Sequence, residues 1–353
     1  MPTGAEAPRA GVPGTAGEYD AVQSRRRLLG WLLYGFGLSL LVALIVRTGP
    51  WRMLEALLES RWQPVALAIL ALAIGQTLRG IKWAYLIGQV QPGVDRPLVV
   101  GCYFTNILVS YWTPARSGEA LAPLLLASRC GTPKRLGLAV ILVDRMADVA
   151  FLAAALVGSA LYLGSHAGSA EGSGTLRTSL YAAAAFAAVL GAAGVAVLRA
   201  TRPGLAARQA LEGDLPPEDG LFGRLTGLFW KLRAAIAQVV RPRRLGVLWI
   251  LTMAAWLFDF ANLYWMVNAV TPIRFVESSV AQSVAAGASL ASFVPGGIGV
   301  ATASYVVVAD LLGADWQRVA AAGVLAVVLN QVTRFALALA AGAHWGRAAK
   351  RLR

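Results

Sequence analysis

The sequence predicts an all-α, polytopic membrane protein, and three observations support this class. Of its 353 residues, 57% are hydrophobic and 14% are charged, whereas a soluble chain carries about 25% charged residues. Several apolar segments run for about 20 residues with few or no charges, the length of a membrane-spanning helix. Lysine and arginine cluster beside these segments, as in cytoplasmic loops. We predict about six full spans and two broken, re-entrant hairpins, about eight membrane segments in all, in an inverted-repeat arrangement.

The N-terminal membrane half is predicted to cover residues 25–198. Residues 1–24 are rich in Pro, Gly and Ala and are expected to form a disordered cytoplasmic tail. The predicted spans of this half, in chain order, are 28–46, 64–87, 136–163 and 181–198. A first broken stretch runs from 98 through Thr-Pro-Ala-Arg-Ser-Gly-Glu at 113–119. Basic residues flank it on both sides, so we expect a hairpin that opens to the cytoplasm.

The C-terminal membrane half is predicted to cover residues 245–346, after a basic cytoplasmic linker at 199–244. Within the linker, 221–240 has apolar residues at helical spacing, which indicates an amphipathic surface helix. Spans at 245–270 and 319–345 flank a second broken stretch at 278–312. A basic tail follows at 347–353. Both termini are therefore predicted to lie in the cytoplasm.

The net charge of +14 does not indicate nucleic-acid binding, because the basic residues flank apolar runs instead of forming one basic face. Membrane lipids are the expected partners, and a homo-oligomer or a lipid-biosynthesis enzyme is a further candidate. Two cysteines and two histidines have no metal-site spacing, so we expect no metal and no other cofactor.

No enzymatic activity is expected from this sequence. It contains no nucleophile elbow and no phosphate-binding Gly-Lys-Ser/Thr loop. The longest polar stretch, about 45 residues, is shorter than a catalytic domain of about 100 to 150.

The two breaks share a short pattern, with an aromatic residue two before a proline and a glycine four after it. The residues are Trp112, Pro114 and Gly118 in the first break, and Phe293, Pro295 and Gly299 in the second. The positions of lysine and arginine predict that the first hairpin opens to the cytoplasm and the second to the outer face. Opposed broken helices occur in inverted-repeat transporters, whose binding site lies between them near the midplane. Unpaired backbone groups are tolerated there only where they are buried in protein or line a wet cavity.

Charged residues near the first break are candidates for substrate binding. Arg116 and Arg145 would hold a phosphate, and Glu119, Asp144 and Asp148 would orient them. Charges at bilayer depth cost about 2.5–3.5 kcal/mol each, so they should face one another or a cavity. The alternative is a structural ion-pair network near the cytoplasmic surface.

Glycines in the second break are the other candidates. Gly296, Gly297 and Gly299 would let the chain approach a ligand closely, and the helix that follows would direct its amide groups at an anion. The alternative is that they only permit tight helix packing. Asn106, a polar residue in the first hairpin, is added to the substrate-binding set.

Four further charged residues lie within predicted spans. Arg79 and Lys82 are expected to extend to the membrane surface, as long basic side chains often do. Asp259 and Arg334 could pair with each other across the bundle. These two residues are expected to hold helices together, as are Asn262, Asn330 and Gln331, and the alternative is a path for substrate or protons.

The motifs at both breaks resemble the lysylphosphatidylglycerol synthase transmembrane-region family, also called flippase-like membrane proteins. The matching residues are Pro114, Arg116, Gly118 and Glu119, then Asp144, Arg145 and Asp148, then Pro295, Gly296, Gly297 and Gly299. The resemblance runs from about Leu28 to the C-terminus. Ala122 and Thr302 stand where the family commonly has an arginine and an acidic residue.

The resemblance implies helical inverted repeats in a bacterial cytoplasmic membrane and a role in moving lipids, such as aminoacylated phosphatidylglycerol, polyprenyl-linked sugars or hopanoids. The leading hypothesis is therefore a translocase for a phosphate-bearing lipid or lipid-linked precursor. A secondary transporter for small anions or metabolites, and a non-transporting scaffold for envelope-lipid synthesis, are the alternatives.

Overall fold

The computed structural model describes residues 32, 35–36, 38–166, 181, 185, 235–236, 239, 242–292, 294, 297 and 299–351. These residues form helices and connecting turns, with no strand among them, which confirms the all-α class. The helices are α1 (Leu38–Thr48), α2 (Pro50–Leu58), α3 (Trp62–Gly88), α4 (Arg96–Tyr111), α5 (Ala122–Cys130), α6 (Lys134–His166), α7 (Pro242–Asn268), α8 (Phe275–Ser292), α9 (Val300–Leu311) and α10 (Trp316–Arg351). A 3-10 helix, Pro114–Leu121, joins α4 to α5.

Three of these helices are long and apolar enough to cross a membrane: Trp62–Gly88, Leu245–Asn268 and Trp316–Gly342. The outer face of α10 is apolar, because large apolar side chains recur there at helical spacing and are more than half exposed. They are Val328, Val332, Phe335 and Leu339. Soluble monomers rarely expose such a continuous apolar surface, so this face suits contact with lipid. The number of spans and the inverted repeat remain predictions.

The first broken stretch folds back on itself. The Sγ atoms of Cys102, in α4, and Cys130, the last residue of α5, are 3.9 Å apart. The side-chain amide of Gln91, just before α4, donates to the Cys130 carbonyl at 3.1 Å. Gly131 then ends α5 with φ of 63°, a left-handed conformation that favours glycine. The end of α5 therefore lies beside the start of α4, and the chain returns to the side from which it came.

The second broken stretch is also a hairpin. The hydroxyl groups of Ser278, near the start of α8, and Tyr305, in α9, are both buried and lie 2.8 Å apart. Gly297, at the reversal between the two helices, has φ of 65°. A Cβ atom at this glycine would meet the Ser289 side chain of α8. Helices α8 and α9 therefore lie side by side on either side of the reversal.

The two hairpins enter the bundle from opposite ends. Helix α3, with 27 residues and a length of about 40 Å, runs between these ends. Just before its start, the Arg61 backbone N–H donates at 3.0 Å to the Ala269 carbonyl, in the turn between α7 and α8. The other end of α3 leads into α4. The opposed hairpins fit the predicted topology, while an internal repeat remains a prediction.

Each end of the bundle has its own apolar core. At the α4–α5 end, Trp83, Tyr103 and Val140 are buried together with Leu248. At the α8–α9 end, Val267, Ala281, Val306 and Val319 form the second core.

Several predicted segments fall partly or wholly outside the described residues. The tail at 1–24 lies wholly outside them. The first span at 28–46 is described at 32, 35–36 and 38–46, the span at 181–198 at 181 and 185, and the linker at 199–244 at 235–236, 239 and 242–244; residues 293, 295, 296 and 298 of the second break and 352–353 of the C-terminal tail are not described. In the linker, Ala235, Ile236 and Val239 are buried against the first core. The last helix continues to Arg351, beyond the predicted end at 345. The nine-residue helix α2 was not predicted, because it is too short to resemble a span.

Candidate functional site

A cavity of about 360 Å³ lies between the tips of the two hairpins, within the usual range of about 300–1,000 Å³ for small-molecule sites. Glu119 from the first hairpin and Ser289 and Ala301 from the second line it, together with side chains of α3, α6, α7 and α10. A second cavity of about 150 Å³ adjoins it and is lined by Gly297 and Thr302. Both halves of the chain therefore form this polar space.

Seven charged residues, here named the ion-pair cluster, lie on one side of the larger cavity. They are Arg79, Lys82, Glu119, Asp144, Arg145, Asp148 and Asp259. The centre is Lys82, which is fully buried. Its Nζ lies 2.7 Å from Asp144 Oδ1 and 3.0 Å from Asp148 Oδ1. A buried ammonium group with two carboxylates joins α3 firmly to α6.

Arg145 connects α6 to the first hairpin. Its Nη2 lies 2.8 Å from Asp144 Oδ2 and 3.4 Å from Asp148 Oδ2, and its Nη1 lies 3.7 Å from Glu119 Oε1. Since Glu119 lies in the 3-10 helix at the break, this contact helps to hold the tip of the hairpin. Three carboxylates thus surround this one guanidinium group.

Arg79 connects the two halves of the chain. Its Nη2 donates a hydrogen bond to Asp259 Oδ2 in α7, and its Nη1 lies 3.6 Å from Asp148 Oδ2 in α6. The guanidinium carbon lies 5.4 Å from the centre of the Trp256 ring. Arg79 is only 8% exposed, so this pair is held in a largely water-free environment.

The ion-pair cluster contains more negative than positive groups. Three cations face four carboxylates, which gives a formal net charge of −1 when all are ionised. Each cation already contacts at least two carboxylates. The ion pairs of the structural alternative are therefore present, whereas their position near the cytoplasmic surface and a phosphate-binding role for Arg145 remain predictions.

The structure brings four of the predicted site residues together: Glu119, Asp144, Arg145 and Asp148. The side chain of Arg116 and the whole of Gly296 lie outside the described residues. Gly297 and Gly299 have φ of 65° and 80°, and Gly297 lines the smaller cavity. Asn106 is buried in α4, but it lines neither cavity.

One expectation about charged residues was wrong, and another was right only in part. Arg79 and Lys82 do not extend to a surface, because both are buried among carboxylates of the neighbouring helices. Asp259 does join two helices, as expected, but its partner is Arg79 instead of Arg334, because the packing of α3 along α7 places Arg79 against it. A complementary spacing was present in the sequence: Arg79 and Lys82 are three residues apart, and Asp144 and Asp148 are four apart, so each pair shares one helix face.

Amide side chains and one arginine line the other side of the cavity. Asn262 of α7 and Asn330 of α10 exchange two hydrogen bonds, of 3.2 and 3.1 Å, and the Asn262 amide also donates to the Ala68 carbonyl at 2.8 Å. Arg334, one turn after Asn330, and Gln282 of α8 line both cavities. The predicted contact between helices is confirmed for Asn262 and Asn330, whereas sequence reasoning missed Gln282.

The comparison with known families gives one match. The family model described as "Lysylphosphatidylglycerol synthase TM region" matches residues 27–342, which is most of the chain. The search of curated proteins found no match to this chain.

Proposed function

This chain belongs to the lysylphosphatidylglycerol synthase TM region family, and from that membership and the geometry of the cavity we propose that it moves a phosphate-bearing lipid, or a lipid-linked precursor, between the leaflets of the cytoplasmic membrane. The lipid is the proposed partner, and movement between leaflets requires no covalent step by the protein.

The observation that carries this proposal is the polar cavity between two opposed hairpins. A lipid headgroup crosses a bilayer at a high free-energy cost, because the hydrocarbon interior offers no partners for its polar atoms. The cavity offers such partners, while the outer face of α10 is apolar over several turns. A headgroup inside the cavity with its acyl chains outside the bundle would avoid most of this cost.

Alternating exposure of the cavity would follow from one half rocking on the other. Polar contacts that cross between the halves at the cavity include the Arg79–Asp259 ion pair, the Asn262–Ala68 hydrogen bond and the stacking of Arg334 on Tyr111. The large α3–α7 interface would act as the fixed axis of this motion.

We also propose an orientation. The end of the bundle where α4 begins and α5 ends carries Arg96, Arg129, Lys134 and Arg135. An excess of lysine and arginine in short loops marks the cytoplasmic side. This end would face the cytoplasm, together with both termini.

A test uses purified protein reconstituted in vesicles that contain a trace of fluorescent phosphatidylglycerol, its aminoacylated form or a polyprenyl phosphate. A membrane-impermeant quencher measures how fast each probe becomes accessible in the outer leaflet. The cavity is filled by Ala286→Trp, since Ala286 lines it. The matched control is Val276→Trp, on the same helix, because Val276 is half exposed and lines neither cavity.

We expect the wild-type protein and Val276→Trp to move at least one probe, and Ala286→Trp to move it no faster than empty vesicles. Equal rates for wild type and Ala286→Trp would show that lipid does not pass through this cavity. If folded wild-type protein moves no lipid, uptake of radioactive phosphate by the same vesicles separates the small-anion transporter from the scaffold.

A further inference from the structure

Arg334 differs from the other basic residues around the cavity. It is 8% exposed, lines both cavities and lies on α10. Among the described side chains, it forms no ion pair with any carboxylate. Each cation of the ion-pair cluster, in contrast, contacts two or three carboxylates. The positive charge of Arg334 is therefore not neutralised by the described part of the chain.

The hydrogen-bonding groups of this guanidinium are largely unused. One contact is a long hydrogen bond of 3.4 Å from Nη1 to the Gln331 side chain. Its Nε is buried and has no hydrogen-bond partner among the described residues. A guanidinium carries five N–H donors, and a buried cation without an opposite charge is strongly unfavourable. The arrangement suits a ligand that supplies the negative charge.

Stacking fixes the plane of the guanidinium. Its central carbon lies 3.8 Å from the centre of the Tyr111 ring, at the end of α4 just before the first break. A stacked guanidinium keeps its N–H edges in the plane of the group, where they can form paired hydrogen bonds to two oxygens of one phosphate. Tyr111 thus fixes the orientation of the Arg334 guanidinium and connects it to the first hairpin.

The surroundings of Arg334 favour an anion more than the ion-pair cluster does. Gln282, which lines both cavities with Arg334, carries an amide that can donate further hydrogen bonds. The cluster has a net formal charge of −1, so a phosphate placed there would meet carboxylates whose repulsion is strong in a water-poor site.

We infer that Arg334 is the anchor of an anion subsite that binds the phosphate group of the ligand, with Gln282 as a second donor, and that the ion-pair cluster holds the fold instead of the phosphate. The lipid as the source of this phosphate rests on the proposed function. A free phosphate ion has the same binding chemistry, so the test must separate the two sources.

Binding is measured by isothermal titration calorimetry on the purified full chain in a maltoside detergent, which contains no phosphate. The probes are inorganic phosphate and short-chain phosphatidylglycerol. The variants are Arg334→Gln, which removes the charge, and Arg334→Lys, which keeps the charge but loses the planar fork. The control is Arg318→Gln, since Arg318 is an exposed arginine on the same helix that pairs with Asp315 outside both cavities.

We expect Arg334→Gln to weaken binding of the phosphate-bearing probe by about 10- to 100-fold, the loss typical of a charge-assisted hydrogen bond. Arg334→Lys should recover part of the affinity, and Arg318→Gln should bind like the wild type. Binding of phosphatidylglycerol alone identifies the lipid as the source, whereas equal binding of inorganic phosphate identifies a free-anion site.

The inference is overturned if Arg334→Gln binds as tightly as the wild type, or if the wild type binds neither probe. These results are independent of the translocation assay. Arg334-dependent binding without lipid movement would keep the subsite and reject the translocase. Lipid movement that needs the cavity but not Arg334 would keep the translocase and reject the subsite.

Discussion

The two sides of the cavity use charge in opposite ways. On the side of the first hairpin, seven charged residues contact one another, and the central Lys82 is fully buried between two carboxylates. On the side of α10, Arg334 is nearly as buried, but its main described neighbours are an aromatic ring and an amide. The difference indicates that charges in contact with one another stabilise the fold, whereas an unneutralised charge is available for a ligand.

The largest effect on stability is expected from Lys82→Met, which removes the cation between Asp144 and Asp148 with little change of side-chain volume. Breaking a buried ion pair from one side costs about 3–5 kcal/mol, which corresponds to a fall in melting temperature of about 10 °C. Tryptophan fluorescence during heating of the detergent-solubilised protein would measure it.

The matched control for this prediction is Lys134→Met, since Lys134 is exposed at the start of α6 and should change the melting temperature little. The double variant Lys82→Met/Asp144→Asn should recover part of the loss, because it removes one of the uncompensated charges. A change below about 1 kcal/mol in Lys82→Met would contradict the structural role of the ion-pair cluster.

The tips of the two hairpins offer a second comparison, because each needs a glycine for a different reason. A Cβ at Gly118 would lie 2.8 Å from Thr113 Oγ1 and 2.9 Å from both the Cα and the N atom of Ser110, so backbone atoms are part of the obstacle. A Cβ at Gly297 would clash with the Ser289 Oγ atom, which belongs to a side chain, and alanine at this position would also have to adopt a positive φ. We expect Gly118→Ala to cost about 1–3 kcal/mol and Gly297→Ala to cost a similar amount.

A double-mutant cycle at Gly297 and Ser289 separates the cost of the clash from the cost of the positive φ. Ser289→Gly should relieve the clash in Gly297→Ala and leave only the backbone cost of about 1–2 kcal/mol. Gly313→Ala is the matched control for that cost, since Gly313 has φ of 84° and open space around its Cα. Urea unfolding of the five proteins, including the wild type, measures each step. If Ser289→Gly does not improve the stability of Gly297→Ala, the close contact at this tip is not what requires glycine.

The sequence predicted the features that depend on local composition. Proline and glycine located both breaks, and the charge pattern of Asp144, Arg145 and Asp148 located part of the ion-pair cluster. It did not predict the partners of Arg79 and Lys82, because a long basic side chain inside an apolar segment can extend to a surface or find a buried carboxylate. The choice depends on which helix packs alongside. For Arg79 that helix is α7, whose Asp259 lies 180 positions further along the chain.

An intermediate effect is expected from the ion pair that joins the two halves. We expect a coupling energy of about 1–2 kcal/mol between Arg79 and Asp259 in a cycle of Arg79→Gln, Asp259→Asn and the double variant, which is typical of contacting residues in one network. Both side chains are less than one-fifth exposed, so water screens the pair only in part. Additive effects of the two substitutions on the melting temperature would show that this ion pair does not help to hold the halves together.

The smallest effect on stability is expected from Arg334→Gln. This substitution removes a buried charge that has no described carboxylate partner, which tends to stabilise the folded state, and it also removes the stacking on Tyr111, worth about 0.5–2 kcal/mol. These two contributions have opposite signs, so the free energy of unfolding should change by less than about 1 kcal/mol. A loss close to that of Lys82→Met would mean that Arg334 is neutralised within the protein and is as structural as the cluster. A small change, measured in the same heating experiment, would set Arg334 apart from Lys82 on the other side of the cavity.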